Sequence, residues 1–362
     1  MRLVLTKNCK AGMKLARSIY NEQGLVLLHE QVELNDSLIR KMLTHGIDYV
    51  YIFDERTEDV ECVHTIEPET RSRAITQIRQ NFTRLVDQFQ RKRTITSSAD
   101  RELKQIVHML FDDLKRHDQA LIMLSDIRAA NEYLFSHSLN VGIFSLIIGI
   151  SLGYDEDELM QIGLGGLLHD IGKMQVNPHI LNKPGPLTAQ EMSAMRKHTE
   201  FGFQILKDIP NISLLSAHCA LQHHERMDGS GYPRGIQGNE IHEYAQWIGL
   251  IDAYDAMTNH RAYREAMLPH QVLEILYTGA GSRYDIKKLE HFRDRIAVYP
   301  IGVTVQLNTG EKGVVVDLNA KVLHRPVIRI LQDADGQSME QPYELDLSKK
   351  LNLTIVDLIY EV

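Results

Sequence analysis

Between about Glu132 and Arg295 the chain carries helix signals and no strand signal, and this stretch most narrows the folds open to it. Val141–Ile150 is its most apolar run. A second, Leu164–Leu168, stops on the polar pair His169-Asp170. Asp155-x-x-Glu158 and Thr188-x-x-Glu191 have the pattern of capping boxes opening apolar runs, and Gly153 suits the end of the preceding helix. The expectation is an all-α domain of several core helices. At ten residues, Val141–Ile150 reads as a buried helix too short to span a bilayer, which needs roughly 20.

The flanks differ in texture. At 362 residues the chain should hold more than one domain, because single cores rarely exceed roughly 250–300 residues. Residues 1–66 mix β-like runs (Leu25–Leu28, Tyr49–Phe53) with a helical segment near Ser37–His45, as a small α/β module. Residues 67–130 read as a helical hairpin or linker. Ile75, Ile78, Phe82, Leu85 and Phe89 form one apolar stripe. Leu103, Val107, Leu110, Leu114, His117, Leu121 and Leu124 form a heptad-like seam, with His117 a polar seam residue rather than a ligand. This 103–124 helix would serve either a homodimer coiled coil or packing on its own domain. After the central domain, taken as 131–295, residues 296–362 turn β-rich at Val303–Leu307, Gly313–Leu318 and Pro326–Leu331. The fold class is therefore mainly α, with a small N-terminal α/β module and a small C-terminal β appendage.

Charge and cysteine usage bound the function. A net charge of −8 argues against a surface that tracks a nucleic-acid polymer, so an anionic ligand must be held by local positive charge. Cys9, Cys62 and Cys219 are scattered and odd in number, which suits a reducing cytoplasm without disulfides. The opening MRLVLTKNCK lacks the apolar core of a signal peptide, and no membrane association is expected.

The chemistry lies in the placement of the 17 histidines. Adjacent imidazole and carboxylate at His169-Asp170, followed by Ile171-Gly172-Lys173, can ligate divalent metals. His223 and His224, followed by Glu225, can both reach a metal only where a helix unwinds, and the downstream Gly231-Tyr232-Pro233 turn supplies such a break. Asp252 and Asp255 sit in a run too apolar to carry them without partners. His137 and His198, on separate helices, are candidates to complete the set.

Taken in order, His137-Ser138-x-x-Val141, His169-Asp170-x-Gly172-Lys173, His198, His223-His224-Glu225, Gly231-Tyr232-Pro233, Asp252-x-x-Asp255 and Arg261-x-Tyr263-Arg264 resemble the HD-GYP family across about Glu132–Phe292. The resemblance implies an HD-type helical domain that hydrolyses cyclic di-GMP to linear pGpG with two or three metal ions, usually iron or manganese. His137, His169, Asp170 and Asp252 would hold one ion, and Asp170 would bridge to a second held by His198, His223 and His224. A hydroxide shared by the metals would attack phosphorus, with Lys173 stabilising charge on the phosphate, Arg261 and Arg264 binding its oxygens and Tyr232 near the ligand. Some members place a Glu four residues before the first His, recruiting a third metal. Here that position is Tyr133, and Glu132 is rotated away by about 100° on a helix. Two metals are therefore expected. A silent cyclic-dinucleotide receptor and an HD phosphohydrolase for another nucleotide are the competing readings.

Overall fold

The computed structural model describes residues 1–20, 25–60, 65–92, 98–116, 133–258, 267–319 and 322–359, which form two compact units. The first joins the two ends of the chain, residues 1–65 and 293–362. Its N-terminal part holds β1 (Arg2–Leu5), β2 (Ile19–Tyr20), β3 (Val26–Leu28), α1 (Asp36–Thr44) and β4 (Tyr49–Ile52). β1 pairs antiparallel with β4, and β2 with β3. Asn35 caps α1 by accepting from the Leu38 amide.

The C-terminal part is an antiparallel five-stranded sheet of β5 (Thr304–Leu307), β6 (Lys312–Asp317), β7 (Val327–Gln332), β8 (Ser338–Asp346) and β9 (Ile355–Ile359), in the order β8-β7-β6-β5-β9. The sequence shows two separate modules here, but the structure gives them one core. Met1, Leu3 and Tyr51 pack with Val303, Val305, Val315, Ile328 and Ile330. Polar links reinforce it: the Leu3 amide donates to Gly302 O at 2.8 Å, and Arg329 grips Asp59 with two bonds of 2.6 and 2.7 Å. Such non-local pairing leaves no periodic trace in either segment alone.

The second unit is helical. α2 (Pro68–Gln90) starts with proline in its first turn and buries Ile75, Ile78, Phe82 and Leu85. α3 (Ser98–Arg116) is tied to α2 by Glu102, which accepts from Arg84 at 2.9 Å and Asn81 at 3.2 Å. Leu103, Val107, Leu110 and Leu114 are all buried within this single chain. Of the two readings of the 103–124 helix, the described part supports packing on its own domain: this stretch of the stripe is a covered core face. His117, Leu121 and Leu124 lie outside the described residues. Leu110→Ala should accordingly cost about 2–5 kcal/mol in urea unfolding, the usual cost of a truncated core leucine; a change within about 0.5 kcal/mol would mean an exposed seam.

α4 (Tyr133–Leu152) and α5 (Glu156–Leu168) follow. α4 is a full 20-residue helix, twice the length of the ten-residue apolar run and no longer too short to reach across a bilayer. Leu134–Leu152 is long and apolar enough to cross a membrane, but 72% of its apolar window is buried within the protein. It also carries the buried polar residues His137, Ser138 and Asn140. Gly153, at φ +77°, stops α4, and the Asp155/Glu158 capping box starts α5 with both reciprocal bonds made. The unit is completed by α6 (Pro178–Leu181), α7 (Ala189–Arg196), α8 (His198–Leu206), α9 (Leu214–Gln222), α10 (Glu243–Thr258), α11 (Pro269–Thr278) and α12 (Ile286–Arg293). Thr188 and Glu191 form the second capping box, at the start of α7.

Candidate metal centre

Five helices deliver their ends or inner faces to one point in the second unit. His137 projects from the first turns of α4. His169 closes α5, and Asp170 leads into the 3-10 turn Ile171–Gln175. His198 opens α8, while His223 closes α9 and His224 follows it, where the helix has stopped. Asp252 comes from the middle of α10. Two groups result: His137, His169, Asp170 and Asp252 in one, and His198, His223 and His224 in the other. Within each group the candidate ligand atoms lie no more than 4.8 Å apart.

Asp170 faces both groups. Its Oδ2 lies 3.3 Å from His169 Nε2 and 3.5 Å from His137 Nε2, while its Oδ1 lies 3.4 Å from His198 Nε2 and 3.7 Å from His223 Nε2. Asp252 is placed similarly, with Oδ1 at 3.1 Å from His137 Nε2 and Oδ2 at 3.9 Å from His224 Nδ1.

The histidine tautomers are set by what lies behind the rings. Nδ1 of His169 donates to Gly166 O at 2.7 Å, that of His198 to Met195 O at 2.7 Å, and that of His223 to Ala220 O at 3.0 Å. His137 Nδ1 donates to Asp255 Oδ2 at 2.7 Å. Carbonyl and carboxylate oxygens only accept, so each Nδ1 carries the proton, and each ring when neutral presents an Nε2 lone pair inward. Lone pairs thus converge on carboxylate oxygens, an arrangement that repels itself unless a cation intervenes. Two of the buried atoms, His169 Nε2 and Asp170 Oδ1, have no hydrogen-bond partner among the described residues. Orphaned buried acceptors in a mixed nitrogen and oxygen set fit a divalent metal ion.

The electrostatics agree. Burial pushes His198 down to about 4 and holds His223 and His224 well below the usual imidazole range, keeping them in the ligating neutral form. Burial alone would raise the Asp170 carboxyl, but the Lys173 ammonium and His169 overcome it and hold Asp170 well below the carboxylate range. His169 moves the opposite way: burial lowers it, and the charge of Asp170 together with hydrogen bonding to Asp170 and Asp252 raises it overall. Both shifts show a carboxylate-lined pocket that attracts positive charge.

Lys173 Nζ donates to Asp170 Oδ2 from a half-buried position at the edge of the site. The Tyr232 ring stacks on His224, with centroids 4.7 Å apart and planes at 30°, and the Arg196 guanidinium lies 4.9 Å from the Tyr232 centroid. The Tyr232-Pro233 peptide is cis, and the Tyr232 amide donates to His224 O. Arg261 and Arg264 lie outside the described residues, as does Tyr263. Arg196 went unnoticed in the sequence, because no spacing rule links a surface arginine to a turn 36 residues later. Asp255 was legible only as a buried acid needing a partner; that the partner is His137, with Asn140 Nδ2 donating to its other oxygen at 2.9 Å, required the structure.

This architecture, helices whose ends converge on paired imidazoles and carboxylates, is that of the HD class. Residues 122–287 match the family described as the HD domain, and residues 304–361 match the KOW domain associated with the HD domain. The HD domain is similar to those of the HD-GYP family. The chain is 32% identical over 234 residues to the cyclic di-GMP phosphodiesterase PA4108 of Pseudomonas aeruginosa, covering 65% of this chain and 56% of that protein. To a cyclic di-GMP phosphodiesterase of Thermotoga maritima it is 36% identical over 175 residues, 48% of this chain and 47% of that one. To the 3'3'-cGAMP-specific phosphodiesterase 2 of Vibrio cholerae it is 30% identical over 219 residues, 56% and 42% of the two chains. The chain thus spans about half the length of these curated relatives. Among solved structures, Bd1817, an HDG"Y"P protein from Bdellovibrio bacteriovorus, shares the fold with a TM-score of 0.50 at 16% identity, over 81% of this chain and 98% of that one.

Proposed function

We propose that this chain is a metal-dependent phosphodiesterase that opens cyclic di-GMP to linear pGpG. The observation that carries the reading is Asp170, whose two oxygens face separate groups of imidazole nitrogens. His137, His169, Asp170 and Asp252 would hold one ion, and Asp170 with His198, His223 and His224 a second. The histidine-rich set suits iron or manganese, and Tyr133 in place of a glutamate limits the count to two. When bound, such a pair supplies an acidified water and positive charge against the phosphate.

The remaining roles belong to the chain itself. Lys173 holds Asp170 ionised and sets an ammonium at the edge of the site, placed to offset charge developing on a phosphate oxygen. Tyr232, packed on His224 and near the Arg196 guanidinium, is placed to line the pocket of a nucleobase. Arg261 and Arg264 are proposed to bind phosphate oxygens bidentately. The substrate is a small dinucleotide rather than a nucleic-acid polymer, given a net charge of −8, and the proposed compartment is the cytoplasm. Similarity to proteins named for cyclic di-GMP and for 3'3'-cGAMP makes the mixed dinucleotide the second substrate to test.

The test uses protein purified without oxygen, loaded with Mn²⁺ or Fe²⁺, and given each dinucleotide, with products identified by mass spectrometry. Linear pGpG and two metal ions per chain are expected. Tight binding without a linear product would identify a receptor instead, and more than two ions per chain would refute the Tyr133 argument.

A further inference from the structure

Behind His137 runs a chain of buried polar side chains that leaves the HD domain altogether. His137 Nδ1 donates to Asp255 Oδ2 at 2.7 Å, and Asp255 Oδ1 accepts from Asn140 Nδ2 at 2.9 Å. Asn140 Oδ1 accepts in turn from Arg71 Nη2. All four residues are buried. Arg71 sits on α2, outside the residues 122–287 that match the HD domain.

The chemistry of the chain runs in one direction. Guanidinium only donates and carboxylate only accepts, so an amide between them satisfies both in one orientation alone. Arg71 and Asp255 therefore select the same orientation of Asn140, and Arg71 anchors the end of the amide remote from the site. Asn140 then occupies one Asp255 oxygen and leaves the other to fix the His137 tautomer and ring angle. Asn140 lies three residues after His137 on α4, so the two side chains share a face. Without Arg71 the buried Asn140 oxygen loses this donor, and the amide is held from the Asp255 side alone.

Resting on the metal-site reading above, we infer that Arg71 is a positioning residue for the metal centre: through Asn140 and Asp255 it holds His137 in ligating geometry, and the HD domain borrows this support from α2. Metal affinity is thereby tied to how α2 is seated.

The measurement is Mn²⁺ affinity of the full chain by calorimetric titration, which is independent of turnover. Arg71→Met and Asn140→Leu should each weaken binding about 10–100-fold, the usual effect of losing a group that orients a ligand. Because they cut the same link, the double variant should lose no more than either single. Arg71→Lys keeps a cation facing Asn140 and should recover to within about threefold of the parent, a rescue that a purely structural role would not produce. Circular dichroism and thermal melts identify variants that fold, and Asn140→Leu tests the link if Arg71→Met does not. Parental affinity in either folded variant, or additive losses in the double, would overturn the inference. A parent that binds no Mn²⁺ would instead sink the metal-site reading itself.

Discussion

Asp170→Ala should abolish turnover and metal content together, while the helical fold survives. Asp170 turns its two oxygens to both histidine groups, at 3.3–3.7 Å from four Nε2 atoms, closer to the second group than Asp252, whose Oδ2 lies 3.9 Å from His224. Removing it deletes the shared anion and leaves two histidine groups with less negative charge to balance a cation. It also removes the acceptor of the Lys173 ammonium. Loss of preorganised charge at one contact typically costs a factor of about 10²–10³, so loss at both groups should lower turnover by more than roughly a thousandfold. Elemental analysis read beside the assay separates the causes. Full activity would dismiss the bridging role, and lost activity with two metals retained would move Asp170 from holding metal to acting on substrate.

Gly172→Ala should be nearly as damaging, although the residue bears no functional group. A Cβ built at Gly172 would meet His198 O at 1.9 Å and Gly202 N at 2.5 Å, both backbone atoms of α8. Real Cβ atoms essentially never approach closer than 3.0 Å, so the turn after Asp170 and α8 must part by an ångström or more. Overpacking of this kind costs about 1–3 kcal/mol, sometimes more. Its chemical effect falls on the 3.4 Å spacing between His198 Nε2 and Asp170 Oδ1. A lowered melting temperature with metal lost from the His198, His223 and His224 group is expected. Unchanged melting and unchanged metal content would show that the two segments separate freely.

Much of the helical unit was legible from the chain. The capping boxes at Asp155 and Thr188 are local devices made by residues three apart, and both form as written. The β runs near Val303, Gly313 and Pro326 correspond to β5, β6 and β7, whereas β8, exposed along most of its length, has no apolar alternation to announce it. The 103–124 seam shows the limit of such reading. A heptad stripe records that a face is covered but not by what, and here α3 packs its described part within its own chain. Likewise α4 has the length and hydropathy of a membrane span, and only its surroundings show that most of it is covered by protein.

What the sequence determined by itself is the inventory of the site: paired histidines and carboxylates at helix ends, placed where local apolar runs stop. Those choices are visible because helix termination and burial are governed by neighbours along the chain. Only the tertiary structure decided the arrangement: that Asp170 turns one oxygen to each histidine group, that Asp255 rather than solvent stands behind His137, and that an arginine from α2 orients the amide between them. The bonds from Arg71 to Asn140 and from Asp255 to His137 span 69 and 118 residues. Contacts of that range depend on how helices pack, and no periodicity within a single helix records them.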